Sequence, residues 1–263
     1  MSRPVSSRPV SPSPSRTATF LRRIVLAGIA VPLALGLAAC HKADSGSATG
    51  DTVASVAAPA GKSWSDVVAP TPDGGMLMGN PTAPIKLLEY GSLSCPHCAH
   101  LANEGMGKLI GTYVNSGRVS YEYRSFAIHG IDIPLTVLAH CADQSAFFGL
   151  VEQLYTNQDP LLKAAMAGQA QAKAAEAQPP AQRLVTMSDA YGFTQFFAAR
   201  GVPLAKAHAC LANTASAVTV AKQAETWGNS GIDSTPTLII HGTRSTALSW
   251  PDLEAALKAA GAR

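Results

Sequence analysis

The period of the apolar positions changes several times along the chain. Ile24 to Ala39 is an unbroken run of small and aliphatic residues. From Cys40 to about Pro70 the composition turns to Ala, Ser, Gly and Asp with no sustained period, which predicts a flexible tether over residues 40–78. Asn80-Pro81 and Ala83-Pro84 mark the start of the folded part near Gly79, because a residue before proline avoids the helical region. Ile85 to Tyr90 reads as a compact apolar strand. Leu101, Met106, Leu109, Ile110 and Tyr113 then follow helical spacing behind Cys95-Pro96. Gly117 ends that helix, and Val119 to Phe126 alternates as a strand. Strand, helix, strand implies a parallel pair joined by a right-handed crossover.

From Pro134 to about Trp227 the pattern is almost wholly helical, with breaks at Asp159-Pro160, Pro179-Pro180, Gly201 and Pro203. Strand character resumes at Thr237 to His241, turns at Gly242-Thr243, and predicts a last short strand near Ala247. Ser249 with Asp252 three residues on then opens a helix over Pro251 to Ala260. The expected architecture is α/β, a βαβ half and a ββα half separated by a helical insertion at about 134–227.

Charge changes the reading of the first residues. Arg3, Arg8, Arg16, Arg22 and Arg23 precede the apolar run with no acid among them, the layout of a secretory signal. The run is shorter than the roughly 20 residues that span a bilayer, which favours cleavage over a retained anchor. Removing residues 1–39 takes those five arginines with it, so the formal charge of +3 becomes −2. No basic patch then remains to suggest nucleic acid. Leu37-Ala38-Ala39-Cys40 resembles the lipobox of bacterial lipoprotein precursors, which implies acylation of Cys40 and attachment to a membrane. His41, where inner-membrane lipoproteins carry aspartate, points to the outer membrane of a diderm cell.

With Cys40 assigned to lipid, four of the 5 cysteines remain, an even number in a chain sent where disulfides persist. Cys95 and Cys98 form a C-x-x-C at the junction of strand and helix. There the unpaired N–H groups and the positive end of the helix dipole favour a thiolate at Cys95, and the thiolate is the nucleophile. Cys141 and Cys210 both fall within the insertion, and the even count predicts a structural disulfide between them; the alternative is two buried free thiols.

Leu87-Leu88-Glu89-Tyr90 leading to Cys95-Pro96-His97-Cys98 resembles the active-site strand and helix of the DsbA family of disulfide oxidoreductases, over roughly Gly79 to Ala260. The resemblance implies a thioredoxin-like fold with a helical insertion. It makes Cys95 the attacking, disulfide-donating residue, Cys98 its resolving partner, and Pro96-His97 the dipeptide that tunes the thiolate. It also makes Glu89 a buried acid assisting proton transfer, and Thr235-Pro236 a cis-proline loop that pairs with an extended substrate. Implied partners are reduced exported proteins and a membrane oxidase or reductase. The chain is expected to be a monomer that needs neither cofactor nor metal.

Other readings of the same residues remain open. Glu89 could be a strand-end acid reaching solvent. The same fold could run as a reductase or isomerase. A non-catalytic lipoprotein could hold copper or zinc with Cys95, Cys98 and nearby histidines, although His100, His129, His140, His208 and His241 share no ligand spacing. Haem c is excluded, since Ala99 stands where histidine is required.

Overall fold

The computed structural model describes residues 51–263; the arginine-rich segment, the apolar run and Cys40 lie outside the described residues. A six-stranded sheet forms the centre. Its strands are β1 (Val68–Pro70), β2 (Met76–Gly79), β3 (Ile85–Gly91), β4 (Val119–Ser125), β5 (Thr237–Ile240) and β6 (Thr243–Arg244), in the order β1-β2-β4-β3-β5-β6. Among the described residues only β3 and β4 pair in parallel, Ile85 opposite Val119 through Gly91 opposite Ser125. Their crossover is α1 (Pro96–Lys108), which continues through a wider π turn, Leu109–Val114. β5 lies antiparallel on the other side of β3, with Tyr90 opposite Thr237. That register brings the end of β3 and the start of β5 together beside the start of α1.

β3 occupies the middle of the sheet, and Ile85 and Leu87 are fully buried. Each such aliphatic side chain contributes about 2 kcal/mol by leaving water. α10 (Trp250–Ala259) packs on α1, capped by Ser249, whose hydroxyl accepts from the Asp252 N–H. Gly105 of α1 makes that approach possible, because a Cβ there would overlap the Trp250 indole.

Between β4 and β5 the chain is helical: α2 (Asp132–Cys141), α3 (Phe147–Thr156), α4 (Gln158–Ala167), α5 (Gln169–Ala174), α6 (Pro180–Ala190), α7 (Phe193–Ala198), α8 (Leu204–Ala212) and α9 (Thr214–Asn229). Phe147, Phe193, Phe197 and Leu211 are fully buried within it. Pro160 does not separate two helices as its sequence position suggests. It sits in the first turn of α4, where an unpaired N–H would otherwise be, and the break falls at Asn157. A disulfide joins Cys141 at the end of α2 to Cys210 in α8 (S–S 2.03 Å). Among the described residues no helix is long and apolar enough to cross a membrane.

Two further expectations are corrected. Residues 51–78 are not a tether throughout. Trp64 is buried and its indole N–H donates to the Val56 carbonyl (2.7 Å); Arg118 Nε donates to the Val53 carbonyl (2.8 Å); and β1 and β2 add two antiparallel strands to β4. A three-residue strand is too short to show alternation, and these contacts reach residues far along the chain. The last strand is Thr243–Arg244 rather than near Ala247. His41 lies outside the described residues, but His241 and Gly242 both have positive φ (51° and 77°), so they form the tight turn themselves and Thr243 already pairs with Ile240.

Candidate active site

Cys95 is the N-cap of α1 in extended backbone conformation, and Pro96 takes the first helical position. Proline lacks the N–H that would be unpaired there, which fixes where the helix begins. Cys95 and Cys98 are both free thiols. One turn of helix places Cys98 inward, fully buried, while Pro96 and His97 face solvent. The Cys95 Sγ lies 3.4 Å from the carbonyl oxygen of Thr235, the residue preceding Pro236 in a cis peptide bond.

The two sulfurs are in opposite electrostatic situations. The Cys98 thiol donates toward Cys95, and this is the largest influence bringing the Cys95 thiol down to about 5. Thr235 and the backbone N–H groups of Cys98 and His97 act in the same direction, against the opposing effect of burial. The Thr235 hydroxyl is buried without a hydrogen-bond partner among the described residues, so it is free to donate to a thiolate at Cys95. Cys98 is driven far above the ordinary thiol range, first by burial, then by its bond to Cys95 and by the negative charge of Glu89. One cysteine is poised to leave or attack as an anion while its neighbour holds a proton.

Glu89, on β3, is buried and not the solvent-reaching acid of the alternative reading. Burial raises its carboxyl to about 7, while the Tyr121 hydroxyl, donating at 2.7 Å, opposes the rise. The sequence resemblance gives His97 a role at the thiolate; the structure places its backbone N–H there and leaves its ring exposed, without a hydrogen bond among the described residues.

A second set of groups holds the loop Ser92–Cys95, and none of them carries a sequence motif. The Asp132 carboxylate, at the first position of α2 and 1% exposed, accepts from the Ser94 N–H (2.9 Å), the His129 N–H (3.0 Å) and the Ser92 hydroxyl (3.0 Å). Gln158, at the first position of α4 and 3% exposed, donates through Nε2 to the carbonyls of Leu93 (2.9 Å) and Cys95 (3.1 Å). Tyr155 donates to the Ser92 carbonyl (3.2 Å) and its hydroxyl also meets that of Tyr123 (2.7 Å). Gly91, opposite, lets the Tyr123 ring lie across the backbone, since a Cβ there would stand 2.5 Å from it. Among the described residues no group of three His, Cys, Asp or Glu could hold a metal ion.

A family model described as thioredoxin matches residues 71–259. The crystal structure of a protein-disulfide isomerase from Novosphingobium aromaticivorans superposes with a TM-score of 0.65 at 29% identity, covering 70% of this chain and 96% of that one. Alpha-DsbA1 of Wolbachia pipientis shares the fold, with a TM-score of 0.57 at 19% identity over 73% of this chain and 93% of its own. A candidate protein-disulfide oxidoreductase of Rickettsia conorii is 30% identical over 88 residues, 33% of this chain and 32% of that protein. The match thus spans about a third of the curated relative's length. With a model match over most of the chain and a helical insertion between the two halves of the sheet, this protein belongs to the thioredoxin family.

Proposed function

We propose that the protein is an exported thiol-disulfide oxidoreductase that passes the Cys95–Cys98 disulfide to reduced exported proteins. The observation that carries this reading is the placement of the two sulfurs. Cys95 caps the start of α1 with its Sγ 3.4 Å from the Thr235 carbonyl of the cis-proline loop, and Cys98 lies one turn in and fully buried, an arrangement that favours the anion at the first and the thiol at the second. In the oxidised protein a substrate thiolate attacks Sγ of Cys95, forming a mixed disulfide and expelling Cys98, which takes up a proton. A second substrate thiolate then attacks the substrate sulfur of that mixed disulfide and releases Cys95 as a thiolate. The substrate gains a disulfide and loses two electrons; the enzyme gains them as two reduced cysteines. A leaving group with a low pKa departs faster and makes the donor more oxidising. Glu89, buried in the same sheet, is the nearby acid for the proton taken up at Cys98.

A membrane oxidase would regenerate the disulfide. The arginine-rich segment, the apolar run and Leu37-Ala38-Ala39-Cys40 support export and lipid attachment at Cys40, facing the periplasm. The opposite direction, reduction or isomerisation, is the second reading. It is favoured by the isomerase name of the Novosphingobium relative. Reduction potential separates the two, because an oxidase lies near about −120 mV and a reductase near about −270 mV. Refolding of a reduced substrate by the protein, and its loss in Cys95→Ser, tests the activity itself. Equal refolding by Cys95→Ser would remove the reading.

A further inference from the structure

Side chains of the helical insertion hold the loop that carries the nucleophile. The Asp132 carboxylate accepts from the Ser94 N–H and the Ser92 hydroxyl, and Gln158 and Tyr155 donate to the carbonyls of Leu93, Cys95 and Ser92, while the Cys95 N–H turns back to the Ser92 carbonyl within the loop. The two sides differ in what they fix. Asp132 ties Ser92 and Ser94, upstream of the nucleophile. Gln158 holds the carbonyl of Cys95 itself, which also accepts the first bond of α1 from the Ala99 N–H at 3.1 Å. A carbonyl has two lone pairs, and here both are used. The orientation of that peptide sets the direction of the next N–H groups, those of His97 and Cys98, which are the backbone donors to the Cys95 sulfur. Gln158 is buried, and both bonds are of ordinary length, so its amide has a single orientation: reversing it would face an oxygen toward two carbonyls.

We propose that Gln158 is a positioning residue for thiol-disulfide exchange, acting through the Cys95 carbonyl to aim the start of α1 at the reacting sulfur, with Asp132 anchoring the other end of the loop. The inference rests on the proposed exchange activity. It assigns the insertion a part in the chemistry that its place in the chain, 63 residues from Cys95, does not reveal.

The test compares the full chain with Gln158→Met, which keeps length and volume and removes both donors, and with Gln158→Glu, which puts an acceptor against two carbonyls. Three quantities are read: the titration midpoint of Cys95 by thiolate absorbance, the rate of oxidation of a dithiol peptide, and the thermal midpoint. Gln158→Met should fold, slow the reaction by about tenfold, the scale of one net hydrogen bond, and raise the Cys95 midpoint. Gln158→Glu should do both more strongly. A Gln158→Met protein with the wild-type midpoint and rate overturns the proposal. If neither variant folds, the side-chain amide protons of Gln158 in the wild type decide: slow hydrogen exchange supports the clamp, and exchange as fast as in an exposed glutamine removes it. A wild-type chain without exchange activity sinks the functional reading instead, and the Cys95 midpoints still judge the clamp.

Discussion

The Sγ of Cys95 lies 3.4 Å from the carbonyl oxygen of Thr235, a residue 140 positions further along the chain. The Thr235 hydroxyl is buried without a hydrogen-bond partner among the described residues, and Thr235 is among the groups that hold the Cys95 thiol down. The carbonyl suits the thiol and the hydroxyl suits the thiolate, so Thr235 can serve both redox-relevant protonation states. Removing the hydroxyl alone should therefore favour the thiol. Thr235→Val is expected to raise the Cys95 midpoint by about one unit, with the fold intact. An unchanged or lowered midpoint would show that the hydroxyl does not donate to the sulfur.

Thiolate absorbance of the reduced wild type should show one sulfur titrating at about 5 and the second remaining protonated well beyond the ordinary thiol value of 9.0. The linkage has a definite sign. Cys95 has a folded pKa below its unfolded value, so it stabilises the reduced protein fully above about pH 9 and loses that contribution as pH falls through about 5. The reduced wild type should gain thermal stability relative to Cys95→Ser between those limits. A flat difference contradicts the lowered pKa.

Glu89 works in the opposite direction. Its folded pKa of about 7 exceeds the ordinary value of 4.5, so between these limits the folded state binds more protons and stability falls as pH rises. Glu89→Gln, which can still accept from Tyr121, should be more stable than wild type above pH 7, by on the order of 2–3 kcal/mol, and no more stable below pH 4.5. Slower release of Cys98 in exchange kinetics should accompany the change. Denaturant titrations at the two pH values check it: a gain at low pH only would reverse the assignment.

Cys141 and Cys210 close a loop with a sequence separation of 69, far from the free cysteine pair in the chain. Replacing both by alanine should lower stability by about 4 kcal/mol in the chain-entropy account. The Cys95 midpoint should stay where it is. Peptide mapping of the non-reduced, alkylated protein checks the bond directly; two alkylated cysteines would exclude it.

Gly105 has no chemical role, and its substitution tests packing alone. Gly105→Ala would set a methyl group against the Trp250 indole, between α1 and α10. Overpacking of this kind costs about 1–3 kcal/mol. Wild-type stability in this variant would mean that α10 can retreat from α1 freely.

Local rules account for much of what the chain is. An apolar run around Leu87, helical spacing behind Pro96 and a C-x-x-C at their junction are nearest-neighbour patterns. They place Cys95 at a helix start because proline suits only the first turn. The helical character of residues 132–229 is similarly legible, as its apolar positions recur with a helix period. Short strands are not: Val68–Pro70 and Thr243–Arg244 exist because partners lie beside them, and two or three residues carry no period of their own.

The sequence by itself determined the reactive pair and the two halves of the sheet around a helical insertion, since periodicity and proline placement act within a few residues. Only the tertiary structure decided which groups surround that pair. Asp132, Tyr155 and Gln158 belong to ordinary helical stretches and become part of the site because the insertion folds back on the loop before α1. Hydrogen bonds between residues dozens of positions apart depend on where packing brings them, and no local pattern encodes that distance.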